Sequence, residues 1–310
     1  MLLSLFAAGV GSQALVALNL SDRLSGQLQA GYLARGAVAY AVSALEADAT
    51  PLYDGLSEEW MGSERFREHR MPGGTVSFLM DEPGPGEQRS GLTDEERRFN
   101  LNTAPEPVLK RLAMLAGGLS DEDAAEVAAS IADWRDADSD QRPLGAEGFY
   151  YRTLTHPYDC KDGPFENVEE LQLVRGVSPT LYRRLEPSVT VYGSGALNLN
   201  TAGAVAVRAL GLSEPGVQGF IAFRSGEDTQ ERTGDDRYLV SVSELESQLK
   251  AFVPVEDLAR LAKLAQDHAL TVRAQEFRTT IVANEGRTAA SLRALCVLNR
   301  RGTVKLWMEK

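Results

Sequence analysis

Residues 1–20 read MLLSLFAAGVGSQALVALNL and carry no charge; the first charged residue of the chain is Asp22. A run of about 20 residues is what a helix needs to cross a bilayer. This run is diluted by Ser4, Gly9, Gly11, Ser12, Gln13 and Asn19, and no Lys or Arg precedes it as in a secretory signal. Three readings follow: a membrane anchor, a signal peptide without its basic start, or a helix buried against other protein. The lack of a polar face favours the anchor over a core helix at the start of a soluble protein. Past Asp22, Leu24, Leu28, Gly31, Tyr32, Arg35, Val38, Val42 and Leu45 recur at helical spacing, and no Pro occurs before Pro51. One helix is predicted, apolar in its first half and amphipathic in its second, ending near Asp48. At 1.5 Å per residue it would run about 65–70 Å.

Outward from this helix the composition is that of a globular protein. The 310 residues are 43% hydrophobic and 25% charged, with 28 Gly and 13 Pro, which excludes wholesale disorder and low-complexity folds. That length supports two modest domains, or one with a large insertion. Thirty-two Lys and Arg face 44 Asp and Glu, a formal charge of -12, so a broad nucleic-acid-binding face is disfavoured. Two Cys cannot staple a scaffold, and His69, His156 and His268 leave little for a His-rich metal site.

Residues 74–80, GTVSFLM, alternate with Val76, Phe78 and Met80 on one face and read as a strand. Residues 81–91, DEPGPGEQRSG, read as a turn-rich linker. Helices are expected over 104–116, capped by Asn102 or Thr103, and over 119–134, opened by Ser120. Strands are expected at 277–283, 290–298 and 303–308, with turns at Asn284-Glu285-Gly286 and 299–302. This small antiparallel sheet could cover one face of the long helix.

The middle of the chain echoes itself. Asn100-Leu-Asn-Thr-Ala104 recurs as Asn198-Leu-Asn-Thr-Ala202, and Asn167-Val-Glu-Glu-Leu171 is paired by Ser241-Val-Ser-Glu-Leu245. Two ordered matches point to two related helical units in tandem rather than to chance. In each, the Asn and Thr side chains are expected to bond backbone groups at a strand-to-helix turn, with the Leu between them inward. Val168 to Leu185, turning at Gly176, sketches a helix-hairpin-helix. Such hairpins aim backbone N–H groups at phosphate, but Glu166, Glu169, Glu170 and Glu186 surround this one, so packing is the favoured use.

One constellation carries chemistry. Asp136, Asp138, Asp140 and Glu147 stand at positions 1, 3, 5 and 12 of a calcium-loop spacing. Position 6 of such a loop is Gly, but here it is Gln141; Pro143 restricts the chain, and no clean helix is read after Glu147. The loop is therefore a Ca2+-site candidate of non-EF-hand geometry, helped by Asp133, Asp159, Asp162 or Glu166. The competing reading is a solvated acidic loop after a helix.

Asp133-Trp-Arg-Asp-Ala-Asp138, Gly145-Ala-Glu147 and Tyr150-Tyr151, in this order, resemble the acidic signature of the type II secretion minor pseudopilin K family. The two Asn-Leu-Asn-Thr-Ala phrases, the segment from Val168 to Val177 and Thr190-Val-Tyr-Gly193 are similar too, so the resemblance covers nearly the whole chain. It implies an α+β, pilin-like fold, with a long N-terminal helix on a small antiparallel sheet and a large inserted α-helical domain. That division places the helix at 1–48, a pilin-like region with the first strand at 49–102, and the C-terminal strands at 276–310. Two SAM-like, helix-hairpin-helix-like units then occupy 103–192 and 193–275. The resemblance further implies minor pseudopilins I and J as partners at the tip of a periplasmic pseudopilus, and a single-pass inner-membrane anchor. It implies calcium in the insert, with Asp136, Asp138, Asp140 and Glu147 the matching positions.

Members of the family begin with a basic leader cut just before the apolar helix. Met1 here falls inside the apolar segment, so either the start is internal or processing differs. Cys160 has no place in the pattern; it either pairs with Cys296 or both stay free. A non-enzymatic assembly subunit is the favoured function. A helix-hairpin-helix nucleic-acid binder is the alternative, opposed by the charge. A hydrolase lacks a G-x-S-x-G elbow and an H-E-x-x-H motif.

Overall fold

The computed structural model describes residues 2–80 and 89–310. The linker read at 81–91 therefore falls, over 81–88, outside the described residues. The chain forms two compact units. The first comprises Met1–Ala49, Glu58–Thr93 and Phe277–Lys310; the second comprises Thr50–Ser57 and Asp94–Glu276.

In the first unit, helix α1 spans Leu2–Glu46, 45 residues, and stops two residues short of the expected end. It packs on strands Gly74–Leu79 and Ser291–Asn299. The sheet runs in the order His69–Met71, Gly74–Leu79, Glu276–Glu285, Ser291–Asn299, Val304–Glu309. Gly74–Leu79 is antiparallel to Glu276–Glu285, with Val76 opposite Ala283 and Phe78 opposite Ile281. Val76, Phe78 and Met80 are all buried, as the alternation requires. The short strand His69–Met71 had no period to announce it; it is held by pairing to Gly74–Leu79.

The buried face of α1 corrects the sequence reading. Ala30, Leu33, Ala34, Ala37, Ala41, Ala44 and Leu45 are buried, whereas Leu24, Leu28 and Tyr32 are exposed. Small side chains win that face because they let the helix backbone approach the sheet. Residues 13–24 are exposed on every side of the helix, Leu15, Val16, Leu18 and Leu20 among them. Among the described residues, no helix is long and apolar enough to cross a membrane.

The second unit holds α2 (Glu106–Leu115), α3 (Asp121–Arg135), α4 (Gly148–Arg152), α5 (Pro179–Leu185), α6 (Ala204–Ala209), α7 (Glu214–Arg224), α8 (Leu245–Leu249) and α9 (Val255–Gln266). Ser120 caps α3 as expected, accepting from the Asp123 N–H at 3.1 Å. The cap of α2 is Pro105 without a side-chain bond, not Asn102 or Thr103. Those two residues are drawn off by tertiary partners, Phe165 and Gly195. In the expected hairpin, the first helix is the 3-10 turn Val168–Leu173 and the second is α5, with Gly176 between them at φ +80. Leu171, Val174, Val177, Leu181 and Leu185 bury its inner face.

The two sequence echoes share one geometry. Phe99–Asn100 pairs in parallel with Val189–Thr190, and Leu197–Asn198 pairs in parallel with Leu270–Thr271. Leu101 and Leu199 are fully buried. Asn102 clasps the backbone of Phe165, accepting its N–H at 2.7 Å and donating to its carbonyl at 3.0 Å. Asn200 clasps Leu239 likewise, at 2.9 Å in both directions. An arginine at the end of a helix then ties down each turn. Arg135 donates to the carbonyls of Leu101 and Ala104, and Arg224 to those of Leu199 and Ala202.

Candidate metal site in the acidic loop

The site hangs from the C-terminal end of α3. Asp133, in the last turn of that helix, is fully buried, and its carboxylate accepts the Arg142 guanidinium at 2.8 Å. Arg142 also bonds Asp136, and this double anchoring holds the guanidinium above its usual pKa. The loop is thereby folded back on its own helix. Gly145 sits so close beneath Asp133 that a Cβ there would lie 2.0 Å from a carboxylate oxygen. Arg175 donates to the Gly145 carbonyl at 3.1 Å and pairs with Glu126 at 2.8 Å.

Glu147 follows as the N-cap of α4. A helix does begin directly after it, contrary to the expectation of none; at five residues it is too short to show a period. Glu147 is 4% exposed, and its carboxylate oxygens meet no N–H or O–H donor among the described residues, only the neighbouring Cys160 thiol. Burial, reinforced by the charges of Asp133, Asp162 and Asp136, pushes this carboxyl up to about 7. Oδ1 of Asp136 is buried without a partner. Unpartnered buried carboxylate oxygens are costly to leave as they stand, and a cation is the natural complement.

Two groups of ligand atoms lie around Glu147. Carboxylate oxygens of Asp136, Asp138 and Glu147 lie within 4.8 Å of one another. The Sγ of Cys160 and carboxylate oxygens of Glu147 and Asp162 form the second group, within the same limit. Asp140, the remaining position of the acidic motif, belongs to neither group; its N–H donates to Asp138 Oδ1 at 2.9 Å, tightening the turn. Of the other acids offered as helpers, Asp159 pairs with Arg152 at 2.9 Å, and Glu166 lies near Lys161 at 3.9 Å. Cys160 arrives because the chain returns beneath α3, where the Gly163 N–H donates to the Trp134 carbonyl at 3.4 Å. No spacing in the sequence foretold it. Cys160 and Cys296 are both free and buried. The donor set fits a divalent cation: oxygen-rich, anionic, open toward solvent at exposed Asp138 and Asp162, and short of hydrogen-bond donors.

A second acidic cluster lies deep in the same unit. The fully buried Asp94 accepts from Thr201 Oγ1 at 2.6 Å, Asn198 Nδ2 at 2.8 Å and the Glu96 N–H at 2.7 Å. Burial, then the Glu96 and Asp54 charges, raise its carboxyl well above the ordinary value. Its saturated bonding marks it as a structural tie between the 94–96 segment and the second Asn-Leu-Asn-Thr-Ala turn.

A long helix packed on a small antiparallel sheet, together with a helical unit bearing an acidic loop, makes this a mixed helix-and-sheet protein. Residues 93–194 match the family model for type II secretion system (T2SS), protein K. The type II secretion system protein K of Pseudomonas aeruginosa is 31% identical over 176 residues, covering 53% of this chain and 52% of that protein. That of Aeromonas hydrophila is 38% identical over 106 residues, 33% of this chain and 32% of that protein. The chain thus spans about half, or less, of the length of the curated relatives it matches. The crystal structure of the GspK-GspI-GspJ complex from the enterotoxigenic Escherichia coli type 2 secretion system shares the fold. Its TM-score is 0.63 at 20% identity, covering 97% of this chain and 99% of that one. Over residues 93–194, acidic loop included, the chain is similar to the type II secretion system protein K family, the family whose resemblance was read from the sequence.

Proposed function

We propose that the chain is a minor pseudopilin that caps the tip of a type II secretion pseudopilus, a structural subunit acting in protein export without a catalytic step. The family match over 93–194 is the observation that carries this reading. The exposed apolar residues of α1, from Leu15 through Tyr32, support it as surface for neighbouring helices. Minor pseudopilins I and J are the partners. The setting is the periplasm, with the uncharged residues 1–20 as the inner-membrane anchor and the second unit as an inserted head of two SAM-like halves. Co-purification tests the assembly role: co-expressed I and J subunits are retained by the tagged chain. Their loss in wash, with each subunit folded, refutes it.

Calcium is the cation we assign to Asp136, Asp138 and Glu147. It supplies positive charge to oxygens that otherwise lack donors, and by binding the folded head alone it stabilises it through mass action. Asp133 and Arg142 do the positioning, fixing the loop against α3 so that the three carboxylates converge. A thermal melt of metal-loaded protein that does not move with a chelator removes this assignment. The nucleic-acid alternative finds no support: the hairpin's inner face is spent on packing, and the relatives reported above carry the names of secretion-system proteins.

A further inference from the structure

We propose that Glu147, Cys160 and Asp162 form a mixed thiolate–carboxylate site for a thiophilic divalent cation of the Zn2+ type, a preference that an all-oxygen calcium site does not have. The proposal rests on the reading of this loop as a cation site and goes beyond it in naming a second class of ion and the residue that selects it.

The argument begins with Glu147. This residue is 4% exposed and its oxygens lack any N–H or O–H donor, so the carboxylate is aimed at the space it shares with the Cys160 thiol. On one side of that space are Asp136 and Asp138; on the other are the Cys160 sulfur and the Asp162 carboxylate, all three ligand atoms of this second group within 4.8 Å of one another. Ligand atoms bound to one zinc, each about 2.0–2.3 Å away, are separated by up to about 4 Å. Small rotations of the exposed Asp162 and of Glu147 close the remaining gap. The local charge calls for a cation: Asp133, Asp136, Asp138, Glu147 and Asp162 converge here, and Arg142 is already engaged by Asp133 and Asp136.

Sulfur decides which cation. Ca2+ is hard and collects six to eight oxygens, so a thiol contributes nothing to it. Zn2+ and Cd2+ take thiolate sulfur and carboxylate oxygen together. On binding, the S–H bond of Cys160 breaks as the sulfur–metal bond forms, and its proton leaves to solvent past Asp162. One thiolate and two carboxylates then face a 2+ ion, with water completing the coordination. The other thiol, Cys296, lies on strand Ser291–Asn299 and joins no such group among the described residues, which makes it an internal control.

The test uses the full chain, reduced and metal-stripped, with Cd2+ as the probe. Thiolate-to-cadmium charge transfer gives an ultraviolet band that carboxylates alone do not produce. A band saturating at one Cd2+ per chain is expected in the wild type and in Cys296→Ser, where Cys160 is the remaining thiol. It is expected to vanish in Cys160→Ser, with Zn2+ affinity falling by at least about tenfold. No band in Cys296→Ser, or a band that persists in Cys160→Ser, overturns the proposal; the first result decides even if Cys160→Ser does not fold. Calcium thermal shifts on the same samples separate the two readings. A calcium shift without a cadmium band refutes the thiophilic site and leaves calcium standing. A Cys160-dependent band without a calcium shift does the reverse, and neither signal refutes both.

Discussion

Arg224 offers a sharp test of how the second unit is held together. Its guanidinium side chain is 3% exposed and donates to the Leu199 carbonyl at 3.0 Å and the Ala202 carbonyl at 2.6 Å. Nε donates to Glu231 at 2.8 Å, and the Phe220 ring lies 5.7 Å from Cζ. Arg224→Met keeps the length and apolar stem and removes every donor. Two buried carbonyls then lose their partners at about 1–3 kcal/mol each, while Glu231, a third exposed, recovers part of its loss to water. The expected destabilisation is about 3–5 kcal/mol, in line with breaking a buried charge network. Arg135 makes the matching bonds to Leu101 and Ala104 but is half-buried, so water can replace the lost donors. Arg135→Met should cost about 1–2 kcal/mol. Urea denaturation of the full chain, followed by far-ultraviolet circular dichroism, measures both. If Arg224→Met costs less than about 1 kcal/mol, or no more than Arg135→Met, then burial of the guanidinium is not what fixes that turn.

Three further outcomes are expected. With calcium present, Glu147→Gln and Asp138→Ala should each weaken binding by at least about tenfold in calorimetric titration, whereas Asp140→Ala should change it by less than about threefold. A carboxyl whose folded pKa is raised, as for Asp94, contributes stability below its unfolded value and loses it as pH rises through the folded one. Asp94→Asn should therefore gain stability relative to the wild type as pH rises above the ordinary aspartate range, and a difference between the two proteins that stays constant with pH counts against a raised carboxyl. Ala37→Leu, forced between α1 and the sheet, should cost about 1–3 kcal/mol, while the exposed Leu28→Ala should fall within about 0.5 kcal/mol of the wild type; urea melts that reverse this order would refute the observed helix face.

The elements legible in the sequence were those with strong local chemistry. An uncharged run without Pro declared the long helix, and strict alternation declared Gly74–Leu79 and the tail strands. The face α1 buries was not legible, because hydrophobicity alone marks Leu24, Leu28 and Tyr32, whereas close packing selects alanine. The doubled Asn-Leu-Asn-Thr-Ala turn was visible from identity alone. Its arginine ties were not, since Arg135 lies 31 residues beyond Ala104 and Arg224 lies 22 beyond Ala202. The same divide runs through the acidic loop. Asp136, Asp138 and Glu147 are near neighbours in the chain, and their spacing put them forward together as candidates. Cys160 reaches Glu147 through a return of the backbone under Trp134 that no periodicity encodes.

The two short parallel strand pairs act as drawstrings. Each brings the first and last residues of a helical parcel side by side, Phe99 against Val189 and Leu197 against Leu270. A parcel whose mouth is tied can lengthen or shrink within, since loop closure entropy grows only slowly with the enclosed length. Insertions between the ties would therefore leave the knots, and the rest of the chain, where they are. Such a chain can change the bulk it carries without altering how that bulk is fastened.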